Sequence, residues 1–294
     1  MTSASNTHSI VLGVDARAPQ TMAVAWAADE AHRRGLPLRL VHALPPLSQD
    51  PHVLGLVRHH KELREHGEQA LGEAAALARH RRPDLPMTTA VTEDVPAPAL
   101  CRESAQAELV VLGSRRLSRL EEVLSASSVT VPVSAQAHCP VVVVREPEHV
   151  TQQPPYVVVG VDASPSSAAA IDFAFDLAAP RQAALRTLLI WQSHLVGHIH
   201  VDEEATVQSL RRLLDEATAG RRATHPDITL THEVIRGHPV EELAKASEHA
   251  LAVVVGRRGR GGFTGMRLGS VPHGLLHRAH CPVITVPAVP VGGR

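Results

Sequence analysis

The sequence predicts an α/β protein made of two tandem open five-stranded parallel sheets, each covered by helices on both faces. Three observations carry this. The chain repeats itself: "IVLGVDA" (10–16) matches "VVVGVDA" (157–163), "AELVVLGSRR" (107–116) matches "HALAVVVGRR" (249–258), and "AHCPVVVV" (137–144) matches "AHCPVITV" (279–286), at offsets of about 142 to 147 residues. That period far exceeds the roughly 20–50 residues of a stacking repeat, so each copy is a whole domain, and 294 residues suffice for two such cores. Within each copy, short Val/Leu/Ile runs alternate with longer segments of helical period, the pattern of βαβ units. The runs are also apolar throughout, which suits strands buried on both faces.

In the first copy the strands fall at 10–14, 38–43, 87–91, 109–113 and 141–145. Between the second and third, Leu63, Ala70, Leu71, Ala74, Leu77 and Ala78 recur at helical spacing; Val207, Leu210, Leu213, Leu214 and Ala217 do the same in the second copy. The polar, proline-containing "EPEHVTQQPP" (146–155) separates the copies, giving domains at 1–146 and 156–294 with a linker at 147–155. The fourth strand of the second copy is expected at 251–255, followed by a glycine loop and a helix with Ser270 as its N-cap and Pro272 in its first turn.

Bulk composition narrows the partners. The chain is 44% hydrophobic and 20% charged with a net charge of −1, which favours neither nucleic acid nor an anionic membrane. Aromatic residues are only 2%, leaving few rings for stacking on single-stranded bases. No secretory signal and no apolar run of about 18 residues occurs, so a cytoplasmic protein is expected. Cys101, Cys139 and Cys281 form no CxxC pair and read as reduced thiols, with Cys139 and Cys281 in equivalent buried places before a strand. The 20 histidines are scattered without zinc-site spacing.

The chemistry concentrates in "VVVGRRGRGGFTGMRLGSV" (253–271). A glycine loop between a strand and a helix start lets backbone N–H groups approach an anion, and the helix dipole favours negative charge there. Phosphate is the obvious ligand. Arg257, Arg258 and Arg260 add charge or belong to a solvated basic loop. The segment is not GxxxxGK[ST], and the first strand is followed by "GVDASPS" and not by the GxGxxG of dinucleotide enzymes. By spacing alone, a ligand site and a plain connector both remain open. Asp162 in "DASP" likewise reads as a ligand residue or as a turn and helix cap.

The spacing Gly256-x2-Gly259-x9-Gly269-Ser270 resembles the nucleotide motif of ATP-binding universal stress proteins, and "VVVGVDAS" (157–164), "VIRGHP" (234–239) and "AHCPVITVP" (279–287) resemble further segments of that family. The resemblance covers both halves. It implies a tandem universal stress protein with a Rossmann-like fold of the adenine nucleotide alpha hydrolase type. It also implies ATP as cofactor, with Mg²⁺ as a companion to the phosphates, in a module that works with a regulatory protein partner. The terminal strands "PVVVV" and "PVITV" are apolar and read as sheet edges, so domain pairing within the chain and a homodimer are expected. Carried over, the resemblance places Gly160 and Asp162 at the end of the first strand, with Asp162 beside the ribose or a metal-bound phosphate and Ala163 and Ser164 flanking it. Ile190 faces adenine through its backbone, while Trp191 reads as packing. Val234 and Gly237 border the base and ribose. Gly256, Arg257, Arg258, Gly259, Gly261, Gly262, Gly269, Ser270 and Val271 surround the phosphates.

The first half departs from this motif. Arg116 and Ala126 stand for Gly259 and Gly269, Asp94 for Gly237, and Arg17 for Ser164, while Asp15, Gly113 and Ser127 persist. Side chains obstruct a backbone cradle, and Asp94 adds negative charge beside it, so weak or absent ATP binding is expected there. No catalytic residue is assigned. The alternatives to a nucleotide-binding regulatory module are a slow ATPase or adenylyl-transferring enzyme of the same architecture, and an interaction scaffold with a vestigial site.

Overall fold

A computed structural model of the chain describes residues 8–47, 54–115, 129–146, 150–192, 203–259 and 267–288. It divides into two units, Met1–Glu148 and His149–Arg294. In the first, the order is β1 (Ser9–Gly13), α1 (Thr21–Arg34), β2 (Leu38–Leu44), α2 (Leu54–Arg81), β3 (Met87–Glu93), α3 (Pro96–Glu103), β4 (Ala107–Arg115), α4 (Thr130–Gln136) and β5 (Val141–Glu146). In the second it is β6 (Tyr156–Gly160), α5 (Pro165–Ala178), a short 3₁₀ turn (Ala179–Arg181), β7 (Ala184–Trp191), α6 (Glu203–Thr224), β8 (Leu230–Arg236), α7 (Pro239–Ala246), β9 (Ala252–Gly256), α8 (Ser270–Arg278) and β10 (Val283–Val286).

Each unit is an open parallel sheet with one strand order: β3-β2-β1-β4-β5 in the first and β8-β7-β6-β9-β10 in the second. The α/β class and the five strands per half are as the sequence predicts, with ends shifted by one or two residues. β-Branched valines build the central strands. Val157, Val158 and Val159 are fully buried, as are Val253 and Val254 beside them, because helices cover both faces. Helices α1 and α2 pack together, as do α3 and α4; α5 with α6 and α7 with α8 repeat the arrangement.

The helices show where apolar period was a good guide. In α1, Ala23, Ala27 and Ala31 are each completely buried at four-residue spacing, and Gly35, at φ 64°, ends the helix so that the Leu36 N–H reaches the Ala31 carbonyl at 3.0 Å. In α2, Leu71, Ala74 and Ala78 are buried as expected, but Leu63 is exposed and Ala75 is buried instead. In α6, Leu214 is buried while Ala217 faces solvent. Thr218 takes the inward place, its hydroxyl 2.8 Å from the Leu214 carbonyl and 3.0 Å from His232 Nε2 on β8. Bonding to the preceding turn lets a threonine be buried without an orphaned hydroxyl.

Cys139 and Cys281 are buried as expected, and the three cysteines form no disulfide. Burial pushes the Cys139 thiol up to about 12, which keeps it protonated and unreactive at neutral pH. Among the described residues no helix is long and apolar enough to cross a membrane.

Candidate functional site

In the second half, β6 pairs with β7 on one side and β9 on the other. The chain winds one way from β6 to β8 and the other way from β9 to β10, so the ends of β6 and β9 mark a topological switch point. In such sheets the connections on either side leave toward opposite faces and open a crevice beyond the strand ends.

The turn after β6 is held by its own side chains. Asp162 Oδ1 accepts from the Ser164 N–H at 3.0 Å, and the Asp162 N–H donates to Ser167 Oγ at 3.2 Å. Ala163 between them sits at φ 58°, a left-handed conformation that a residue with a β-carbon adopts only at a cost. Ser164, 7% exposed, caps α5: its hydroxyl accepts from the Ser167 N–H at 3.1 Å, and Pro165 follows as the first helical residue. The helix cap is therefore Ser164, and Asp162 makes the turn in front of it. Sequence reasoning passed over Ser167, although its place in "DASPSS" within reach of the Asp162 backbone was a usable signal.

The loop after β9 packs directly on this turn. Ser164 Oγ donates to the Arg258 carbonyl at 3.3 Å. A β-carbon at Gly259 would press on Asp162 Oδ2, and one at Gly256 would lie 2.7 Å from the Ser166 backbone. Gly256 has no room for a side chain, and a side chain at Gly259 would displace the Asp162 carboxylate. The Arg257 N–H donates to the Val286 carbonyl at 2.7 Å, and the Arg257 carbonyl accepts from the Gly269 N–H at 2.9 Å. This last bond draws the far end of the glycine segment back to β9. Gly261 and Gly262 lie outside the described residues.

Helix α8 begins one residue earlier than expected. Gly269 is the N-cap, Ser270 is the first helical residue, and among the described residues no side chain caps the helix. Gly269 is buried, and its N–H bond to the Arg257 carbonyl at 2.9 Å fixes the chain at that point. A glycine cap leaves the first N–H groups of α8 without a side-chain acceptor, and Ser270 stands exposed beside them with Val271 half-buried.

Ile190 and Val234 lie near the ends of the neighbouring strands β7 and β8, each half-buried. The Gly237 N–H closes the end of this pair onto the Trp191 carbonyl at 3.1 Å. Trp191, expected as packing, is only half-buried, and the Arg236 guanidinium lies over its ring.

The first half builds the same turn with other chemistry. The Asp15 N–H donates to Gln20 Oε1 at 3.1 Å, as Asp162 does to Ser167. Arg17, in place of Ser164, forks the Asp15 carboxylate, Nε to Oδ1 at 2.9 Å and Nη2 to Oδ2 at 3.0 Å, and this contact raises the Arg17 pKa. Asp94, in place of Gly237, pairs with Arg102 and accepts from the Val95 N–H at 2.6 Å; the Arg102 bond holds its carboxyl below the usual range. The charge expected to face a ligand is thus turned onto its own helix α3. Arg116, Ala126 and Ser127 lie outside the described residues.

The sequence model of the universal stress protein family matches the chain twice, over residues 6–145 and 156–287. The chain belongs to the universal stress protein family. It is 34% identical to universal stress protein Rv2623 of Mycobacterium tuberculosis over 294 residues, covering 97% of this chain and 98% of that one. It is 33% identical to Rv2005c of the same organism, covering 94% and 96%. Among solved structures, a universal stress protein from Archaeoglobus fulgidus superposes with a TM-score of 0.74 at 16% identity, covering 97% of this chain and 98% of that one. This last likeness concerns the fold.

Proposed function

We propose that the second half binds an adenine nucleotide, ATP, and that the chain acts as a nucleotide-dependent regulatory module of the stress response. The observation that carries this reading is the meeting of Asp162 with Gly259, where a β-carbon on the loop would press on the carboxylate. A carboxylate, a glycine loop and an uncapped helix start converge at the switch point, which is where this sheet type takes ligands.

In this reading Gly256, Arg257, Arg258, Gly259, Gly261, Gly262, Gly269, Ser270 and Val271 hold the phosphates, chiefly through backbone N–H groups. Gly160, Asp162, Ala163 and Ser164 border the ribose side, and Ile190, Val234 and Gly237 the base. Among the described residues no group of three His, Cys, Asp or Glu gathers to hold a metal by itself. Mg²⁺ would be held in the mode it favours with nucleotides, on phosphate oxygens with a single carboxylate, and Asp162 would supply that carboxylate. The first half, with Arg17 and Arg116 in place of Ser164 and Gly259, binds nucleotide weakly or not at all. Domains at 1–146 and 156–294 with a linker at 147–155, a cytoplasmic location and a homodimer complete the proposal; sedimentation of the full chain checks the dimer.

Mass spectrometry of nucleotide copurified with the chain, followed by ATP turnover over hours, tests the reading. Bound ATP with negligible ADP formed is the expected result. Steady turnover abolished by Asp162→Ala would instead establish a slow ATPase, and a chain that binds no added ATP would leave the scaffold reading.

A further inference from the structure

Trp191 ends β7, Arg236 ends β8, and the two are register partners across the ladder. The Arg236 guanidinium carbon lies 5.8 Å from the centroid of the Trp191 ring, within the range of a cation–π contact. Glu203, at the start of α6, holds Arg236 from its other end at 3.4 Å, yet the Arg236 side chain stays 56% exposed. Ile190 directly precedes Trp191 and Gly237 directly follows Arg236, so the pair adjoins the residues assigned to the base.

The first half supplies an internal control. Its register partners at the same place are Leu44 and Glu93, and Arg64 of α2 pairs with Glu93. A helix-to-strand ion pair is thus kept with its sign reversed, without a ring. Leu44 is buried, 2% exposed. Tying the helix to the strand therefore requires neither a tryptophan nor an arginine at the strand ends, and their presence in the second half calls for another reason. The chain holds only two tryptophans, and the other, Trp26, lies on α1.

We propose that Trp191 and Arg236 form a stacking platform that receives the base of the bound nucleotide and selects purines over pyrimidines. The proposal rests on the nucleotide reading of the second half. A guanidinium is planar, weakly hydrated and stacks readily on π systems. Arg236, held near the indole and more than half exposed, offers a planar cation to a ligand. A base laid on it completes a stack of indole, guanidinium and base, and a two-ring purine overlaps that plane more fully than a one-ring pyrimidine.

Equilibrium dialysis of the full chain with labelled ATP and CTP tests this in the wild type and in Trp191→Leu, Arg236→Gln and Trp191→Phe. Leucine is what the first half folds with at this position, so Trp191→Leu is expected to keep the fold. ATP binding should weaken about 10-fold or more in Trp191→Leu and Arg236→Gln, as loss of an aromatic stack on a base does. CTP should change less, so the ATP-to-CTP preference falls, while Trp191→Phe keeps most of both. In a Trp26→Phe background, ATP should quench the emission of Trp191. ATP binding with an unchanged preference in both Trp191→Leu and Arg236→Gln overturns the platform alone. A wild-type chain that binds neither nucleotide overturns the nucleotide reading and the platform together.

Discussion

In the second half Ser164 caps α5 and bonds to the Arg258 carbonyl, joining the turn after β6 to the loop after β9. In the first half Arg17 stands in that place and folds back on Asp15. The two halves share one strand order and one backbone bond at this turn, Asp162 to Ser167 and Asp15 to Gln20. One substitution separates their consequences. Without a capping hydroxyl, α1 starts at Thr21, three residues beyond Ala18, the counterpart of Pro165 where α5 starts, and the carboxylate that borders the proposed site in one half is taken by an arginine in the other. A duplicated fold can keep its architecture while a few side chains at the switch point change what the turn presents.

Gly259→Arg, which gives the second half the residue of the first, should break the contrast most strongly. The new side chain must occupy the space of the Asp162 carboxylate, and ATP affinity should fall by roughly 100-fold, about 2.8 kcal/mol at 1.4 kcal/mol per tenfold. Isothermal titration would show it, and affinity within twofold of wild type would remove the close contact from the account.

A second contrast lies between paired helices. Asp29 on α1, 12% exposed at its side chain, accepts from Arg81 at 2.7 Å and Arg82 at 2.9 Å. Its counterpart Asp176 on α5 shares Arg221 with Asp172, and both carboxylates are more than half exposed. Burial pushes the Asp29 carboxyl up, but the bonds and charges of Arg81 and Arg82 outweigh it and leave the pKa lowered. A lowered folded pKa adds stability above the unfolded value of about 4, and that stability is lost as pH falls through the folded value. Asp29→Asn should therefore cost about 1–3 kcal/mol at neutral pH, the range for hydrogen bonds to charged groups, and flatten the acid limb of the stability profile. Asp176→Asn should cost less than about 1 kcal/mol, as exposed pairs do. Urea titrations from pH 3 to 7 would separate the two, and equal costs would erase the distinction.

Smaller effects follow at the turn itself. Ser164→Ala should cost about 1 kcal/mol of stability through the lost cap and weaken ATP by freeing the Arg258 loop. Arg17→Ser, the reverse exchange, should change stability by less than about 1 kcal/mol, since it trades an exposed ion pair for a cap. It should not create a second site, because Arg116 and Ala126 remain. Thermal melts with and without ATP read both, and ATP binding gained by Arg17→Ser alone would show that the loop residues matter less than argued.

The fold was legible because its signals are local or repeated. Alternating valine runs and amphipathic segments fix element types, and the duplication let each half check the other. The loop glycines were legible from their spacing. What escaped depends on contacts between elements. Thr218 takes the inward place in α6 instead of Ala217 because His232 on β8 offers it a bond. Gly269 caps α8 with its N–H bonded to the Arg257 carbonyl, which the good capping preference of Ser270 does not reveal. Asp94 is turned away by Arg102, eight residues later on a helix whose facing needed the structure. The pairing of Trp191 with Arg236 depends on strand register, which no single segment states.

The central claim is that one half binds nucleotide and the other binds it weakly or not at all. Calorimetric titration of ATP onto the full-length wild-type chain measures this most directly through its stoichiometry. The account predicts one ATP per chain; two per chain, or none, would contradict it.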